Sequence, residues 1–479
     1  MENDSAVYDK MNSVWKSTCK ILFGEEVGEL SEFREWLLEY AQVPRFEKSN
    51  LSGKEVSLTS KDYAQGARFA SFDEVDFNKK FMPLSINEVK DIDSVLEAVE
   101  ERLYYTGNII LGNSSNVALS SNVVDSHVVY CSNAISDCKY IAYSREVRFT
   151  ESSFGFYSGA TSKFTIKMDD VGRMTRCFEC HLCELNSDLY YCMDLTHSKD
   201  CMFSFGVVAG SNMIGNLKLP KDKYNQLKKK ITAEIAQILK KEKRAISLLE
   251  IIEKAGKEGG TSANVSPRPV VPFDINPIES AFSKTTSLIF GKPLLGVDNY
   301  YKFLQKHIPE NEYQKSPLTG NRVVAAGNFR NFIERYKLQG RLLDIFEIRQ
   351  IGNAPLEEKS VEKISLLSSD LYKLLSPVAY ASFDLEFENN LNVKDAPVLL
   401  DVVNCYKGSN YIHSKNCTHC YWPRDSDHIF GGAVTWGSSF CIKSYYSKAL
   451  TRSFEVDNCD SCSDLYYSHN CENVKESMF

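Results

Sequence analysis

The sequence predicts an α+β fold built as a tandem duplication. Each copy is expected to be a helical unit followed by a short β-solenoid-like segment of right-handed parallel β structure. Three observations predict this: two cysteine clusters, a gapless internal match, and a change in composition that recurs. Of the 15 cysteines, Cys19 stands alone. Cys131, Cys138, Cys177, Cys180, Cys183, Cys192 and Cys201 form one cluster, and Cys405, Cys417, Cys420, Cys441, Cys459, Cys462 and Cys471 a second. Two such clusters point to a repeat. A shift of 276 residues aligns Phe154–Phe203 with Phe430–Phe479 without a gap, and about 19 of these 50 positions are identical where chance gives about three. Phe154-Gly155 falls on Phe430-Gly431, Ile166-Lys167 on Ile442-Lys443, and Phe178-Glu179 on Phe454-Glu455. The second copy stops at Phe479 inside the shared motif, which fits either a processed product or a natural terminus worn back by mutation.

The copies also match upstream. Phe23-Gly24, Gly28 and Leu30–Phe33 resemble Phe290-Gly291, Gly296 and Val297–Tyr300. Ser31 and Asp298 are read as helix N-caps before the apolar patterns Phe33, Trp36, Leu37 and Tyr300, Phe303, Leu304. Ala70-Ser71-Phe72-Asp73 recurs as Ala381-Ser382-Phe383-Asp384 at a different offset, so the copies carry different insertions.

The elements follow in order. Residues 1–106 read as a helical unit, with a clean helical period over Ser85–Tyr105 opened by Ser85 and Glu88 as a capping box. Residues 107–210 are rich in Ser, Asn, Cys and Asp with short apolar pairs. Small polar pairs followed by β-prone runs recur about every 9–11 residues, predicting a solenoid coil of roughly 20 residues. A β-sandwich is the competing arrangement and would want more Gly and Pro turns. Residues 211–256 hold one long amphipathic helix opened by Pro220, residues 257–277 a Gly/Pro/Ser-rich linker, 278–386 the second helical unit, and 387–479 the second cysteine-rich segment.

Hydrophobic residues make up 43% of the 479-residue chain and charged residues 25%, which excludes a disordered or fibrous protein. The net charge of -7 argues against a nucleic-acid binder as a whole. No basic start leads into an apolar run, and no stretch reaches the roughly 18 apolar residues of a membrane span. A chain made in a reducing cytoplasm, with unpaired thiols, is therefore expected.

The chemistry-bearing motifs are few. Cys177-x2-Cys180-x2-Cys183, with His181, Cys192 and His197, has zinc or iron–sulfur spacing, as has Cys417-x2-Cys420 with His413 and His419. The copies test this: Cys177 falls on Ser453 and Cys180 on Val456, while Cys417 and Cys420 fall on Ile141 and Ser144. Cys/Ser/Val interchange is what small buried positions tolerate, so the thiols are read as structural and no metal or other cofactor is assigned. Asp169-Asp170 could serve a glycosidase but aligns with Tyr445-Tyr446 and is read as a loop feature. The shared Tyr190-Tyr191 and Tyr466-Tyr467 are read as packing. Nucleophile elbows and phosphate-binding glycine motifs are absent, so no catalytic residue is assigned. Lys228, Lys229, Lys230, Lys240, Lys241, Lys243 and Arg244 could meet nucleic acid or an acidic partner, but a solvated face on a packing helix is favoured.

Ser187–Cys192, Ser198–Gly206 and Ile214–Tyr224 resemble a family of poorly characterised Cys/Ser/Asn-rich repeat proteins of tailed phages and candidate-phyla bacteria. In that family a repeat of this kind precedes an Ile-x-Asn-Lys-x-Tyr segment and a helix; here Leu217 stands where Lys is expected. The resemblance covers residues 120–230 and part of 400–479 and implies a virion component. The expected function is thus a non-enzymatic structural or assembly protein, probed against two alternatives: a polysaccharide-binding or -processing β-solenoid and a zinc-binding regulator. Expected partners are further copies of itself or other assembly proteins, with no membrane.

Overall fold

The computed structural model describes every residue except 1, 42–43, 61, 81, 83–93, 95–102, 260–263, 388, 422, 425, 436, 446, 457–460, 467–474 and 476–479. Helices and sheets are mixed along the chain. Among the described residues no helix is long and apolar enough to cross a membrane.

The largest sheet is a stack of parallel strands in which the chain pairs with itself twelve residues further on. Ser115 pairs with His127, Lys139 with Glu151, Ser187 with Lys199, and Lys199 with Ser211. Each twelve-residue rung turns at single residues in the left-handed region. From Asn116 to Gly215 every third residue has positive φ, and the run includes Tyr140, Phe164 and Lys167 as well as glycines. The residue after each corner points inward. All 18 buried residues of the stack's interior core, from Val123 to Val207, therefore fall on one frame of three.

The predicted coil of roughly 20 residues is thus corrected to 12. The corners occupy single residues of any type, so no Gly, Pro or Asn signature announces them. A left-handed non-glycine residue costs about 1–2 kcal/mol, and the pairing of every rung with the next offsets it. Interior hydroxyls help. Ser120 Oγ accepts the Ser132 N–H at 3.0 Å, Ser132 Oγ accepts that of Ser144 at 3.0 Å, and Ser132 Oγ donates to Tyr130 O at 2.9 Å. Thiols repeat the second bond: Cys177, Cys180, Cys192 and Cys201 each donate to the carbonyl two residues back. That shared bond is why Cys and Ser trade places inside the stack.

Outward, the column Ala142, Phe154, Ile166, Phe178, Tyr190, Met202 and Ile214 is buried, one residue per rung. It packs on helix α1 (Glu2–Phe23), with Trp15 against Phe154 at 5.2 Å and Phe23 against Phe178 at 5.1 Å between ring centroids. After α1 come a 3-10 turn (Leu30–Phe33) and α2 (Arg34–Leu37). The all-helical reading of residues 1–106 fails beyond this point. Arg45–Lys48 and Glu55–Leu58 form an antiparallel hairpin, and Phe69–Ser71 pairs in parallel with Tyr105–Gly107. The predicted helix Ser85–Tyr105, including its Ser85/Glu88 box, lies mostly outside the described residues.

Two further expectations are corrected. The single long helix is two: α3 (Lys221–Glu242) ends at left-handed Lys243, and α4 (Leu248–Lys257) restarts from a Ser247/Glu250 capping box. Ser31 and Asp298 are not N-caps. The caps are Glu29 and Gly296, two residues earlier in each case.

Residues 264–275 run without regular structure to α5 (Asn276–Phe290). A 3-10 turn (Val297–Tyr300), α6 (Tyr301–Leu304) and an antiparallel hairpin (Glu312–Lys315 with Arg322–Ala325) follow. This order and spacing repeat the first unit at an offset of 267, from Gly24/Gly291 to Leu58/Ala325. Even the hairpin turns agree: Ser49 Oγ accepts from Leu51 N, and Ser316 Oγ from Leu318 N. The second unit then adds α7 (Arg330–Arg335), α8 (Ile345–Gly352), α9 (Glu358–Glu362) and α10 (Leu371–Leu375). This insertion lies across the first stack, where Arg349 donates to Asp194 O at 2.9 Å and Asn216 to Ile351 O at 2.8 Å.

A second, smaller stack begins after Asp384. Leu391 pairs with Val403 and Leu399 with Tyr411, again twelve apart, and every third residue from Asn392 to Asn416 has positive φ. Its buried core, from Leu399 to Leu465, keeps the same frame of three. Phe430 and Phe454 pack on α5 through Phe282 and Phe290 at 5.0 and 4.7 Å. The duplicated Phe-Gly has a mechanical reason. A Cβ on Gly155 would lie 2.8 Å from Leu37 O, and one on Gly431 3.0 Å from Leu304 O, so both helical units press their backbone onto the stack at this point.

Candidate buried polar site

The stack's outer corner column Gly155, Lys167, Glu179 and Tyr191 brings together the charged residues of the duplicated motif. Lys167 Nζ donates to Trp36 O at 2.9 Å and to Glu39 Oε2 at 3.0 Å, and lies 3.6 Å from the centre of the Tyr40 ring. Glu179 Oε2 accepts from Tyr40 OH at 2.6 Å and from Leu248 N at 3.1 Å. One residue pair away, Asp169 Oδ2 and His181 Nδ1 are 3.0 Å apart, and His181 packs against the rings of Tyr40 and Phe332. Arg244 closes the cluster by donating to Glu39 and Glu250, each at 2.8 Å. Four segments thus meet here: the α2 end, the stack, the α3–α4 corner and α7.

Lys167, Asp169, Glu179 and His181 are all fully buried. Burial pulls Lys167 below the usual ammonium range, against the pull of Glu179 and Glu39. Burial also pushes Asp169 and Glu179 up, with Lys167 opposing it in both, and takes His181 down to about 4. Asp169 and His181 face each other at 3.0 Å with burial opposing the charged form of each. Asp169 Oδ1, Glu179 Oε1 and His181 Nε2 have no hydrogen-bond partner. An opening of about 300 Å³ is lined by Arg244, Glu250, Glu253, Lys254, Arg335, Tyr336 and Lys337, so that it reaches the cluster at Arg244 and Glu250. The arrangement works as an electrostatic clasp between segments.

The second stack repeats the pair: Lys443 Nζ meets Glu455 Oε1 directly, and the ammonium lies 4.6 Å from the Phe303 ring centre, in the place of Trp36. The sequence quoted both halves of this pair only as repeat evidence. Lys167 and Glu179 are twelve apart, which is adjacent once the rung length is known.

Asp169-Asp170, read as a loop feature, lies instead within the strand Lys163–His181. Tyr190 and Tyr191 are buried, donating to Leu22 O at 2.7 Å and Ile246 O at 3.1 Å. Cys177, Cys180 and Cys183 take three successive interior positions of the first stack, each just after a corner, with Cys180 in register with Cys192. Cys417 and Cys420 are interior positions of the second. Their spacing of three is the rung's own period. Among the described residues no group of three or more His, Cys, Asp or Glu side chains is placed to hold a metal ion. Burial pushes the Cys138 thiol up to about 12 and that of Cys441 to about 11.

The basic residues of α3 are engaged by the chain itself. Lys228 meets Asp188 and Asp200, Lys230 donates to Ile364 O, and Lys241 pairs with Glu242. Lys240 meets Glu25 at 2.5 Å, Lys243 meets Glu32 at 3.0 Å, and Arg244 meets Glu39; Lys229 is exposed. Apart from Lys229, these side chains pair with groups of the chain while staying partly solvated, Lys241 at 80% and Lys240 at 46%. A shallow groove of about 600 Å³ runs along the first stack past Arg173, Ser187, His197, Lys199 and Ser211. No protein-family model, curated protein or solved structure matches the chain.

Proposed function

We propose that this protein is a non-enzymatic structural or assembly component, of the kind that builds a tailed-phage virion or attaches to its capsid. Its architecture is two tandem copies of a helical unit followed by a parallel β-solenoid. The solenoid reading is supported by the register of twelve and the interior frame of three in both stacks. The duplication is supported by the element order repeated at 267 and the residue match at 276, a whole number of rungs.

The observation that carries the function is the enclosure of the chemistry. The ionisable groups that could act together, Lys167, Asp169, Glu179 and His181, are sealed beneath four chain segments. They are 0% exposed and hold parts of the chain in register. Parallel stacks with filled interiors make stiff, extended bodies whose outer faces are free to carry contacts. Quantitation of the protein in purified particles tests this: a copy number matching a symmetric shell or tail supports it, and absence from every large assembly overturns it. The groove past His197 and Lys199 favours polysaccharide binding as a second function. Glycan-array binding abolished by His197→Ala and Lys199→Ala together would support that alternative.

A further inference from the structure

We propose that the outer face of the second copy is a docking surface for an acidic amphipathic helix of another protein. The inference rests on the tandem-duplication reading, because the first copy supplies the template. There, α3 and α4 cover the face formed by the end of α1, α2 and the Tyr190 column. The cover is held by three ion pairs: Lys240–Glu25, Lys243–Glu32 and Arg244–Glu39.

At the matching places of the second copy nothing among the described residues provides this cover. Phe290 is 41% exposed where Phe23 is 4%, Phe303 38% where Trp36 is 2%, and Tyr466 36% where Tyr190 is 2%. Three aromatic rings that are core in one copy thus stand on the surface in the other. Such a patch marks an interaction site.

The charges around it say what fits. At the offset of 267, Glu25, Glu32 and Glu39 become Lys292, Asn299 and Lys306, and Glu35 becomes Lys302. All four second-copy residues are exposed. Neither Lys292 nor Lys306 has a carboxylate within ion-pair distance among the described residues. A basic helix such as α3, from this chain or from a second copy of it, would meet like charge here. A helix with the same apolar stripe and carboxylates at its end would meet opposite charge. Complementary potential of this kind selects the partner and suppresses the wrong one.

The test uses the full chain and two synthetic peptides of residues 221–257. One is native; the other carries Lys240→Glu, Lys243→Glu and Arg244→Glu. Binding is followed by fluorescence anisotropy at low and moderate salt. The acidic peptide is expected to bind at least about tenfold more tightly than the native one, with the preference shrinking as salt rises. Lys292→Glu with Lys306→Glu in the chain, at exposed positions that leave the fold intact, is expected to reverse the ranking. No binding by either peptide, or a ranking indifferent to that double substitution, overturns the proposal. So does concentration-dependent self-association abolished by the same substitution, which would assign the face to a second copy. Failure here with the protein still present in particles leaves the assembly function standing; absence from particles with peptide binding intact does the reverse.

Discussion

Lys167 and Lys443 hold matching positions of the two stacks, each with a glutamate twelve residues on. The first is sealed under α2, α4 and α7. The second lies against Phe303 of α6, with 3% of the Lys443 side chain and 19% of its partner Glu455 in water. The same pair thus stands in two environments, and its energetic weight should follow the environment. A buried charge pair is a weak source of net stability but is costly to break from one side. A partly hydrated one is worth little.

The comparison breaks or sharpens with four measurements. Glu179→Ala removes the acceptor of Tyr40 and Leu248 and one of the two carboxylates that act on Lys167, whose pair with Glu39 stays; denaturant unfolding should show a loss of about 2–3 kcal/mol. Glu455→Ala should cost about 1 kcal/mol or less. Equal losses would mean that the second pair is also desolvated. Gly155→Ala and Gly431→Ala should instead behave alike, each costing about 1–3 kcal/mol, because both would drive a Cβ into a helix carbonyl. A loss confined to Gly155→Ala would show that the second helical unit can shift.

The third measurement is acid sensitivity. His181 and His419 are both held down to about 4 by burial. The unfolded chain takes up these protons from about pH 6.5 downward, while the folded chain refuses them until about 4. Their contribution to stability is thus complete above pH 6.5 and lost as pH falls towards 4. His181→Gln and His419→Gln should each flatten the midpoint-against-pH curve in that window, and a variant with the parent slope would exclude its histidine. The smallest effects belong to the interior. Cys177→Ser and Cys180→Val copy the residues at Ser453 and Val456, and each should change stability by no more than about 1 kcal/mol. A larger loss at either would point to a role beyond filling space.

Much of this was legible in the chain. The gapless match at 276 located both stacks, the apolar spacing marked α3, and the Gly, Pro and Ser content marked the linker. The stack's true period was also written down: Cys177, Cys180, Cys183, Cys192 and Cys201 are separated only by multiples of three. It went unread because β structure is expected to alternate with a period of two, and because corners built from Tyr140 or Lys167 look like no known turn. The first hairpin was missed for a similar reason, since Ser49–Gly53 resembles a loop inside a helical unit until Ser316–Gly320 is set beside it. The clasp needed three dimensions: Glu39, Lys167, Glu179 and Arg244 are far apart in sequence and meet only where four segments cross.

The left-handed corners have a consequence for how substitutions are tolerated. Glycine ordinarily weakens a strand, but at a corner it relieves a strained backbone at no steric cost. At an exposed corner such as Phe149, replacement by glycine should be neutral or stabilising, while at the neighbouring Arg148 it should be harmful. A glycine scan along the stack would then rise and fall every third residue, so the spacing of the corners could be counted from a stability assay alone.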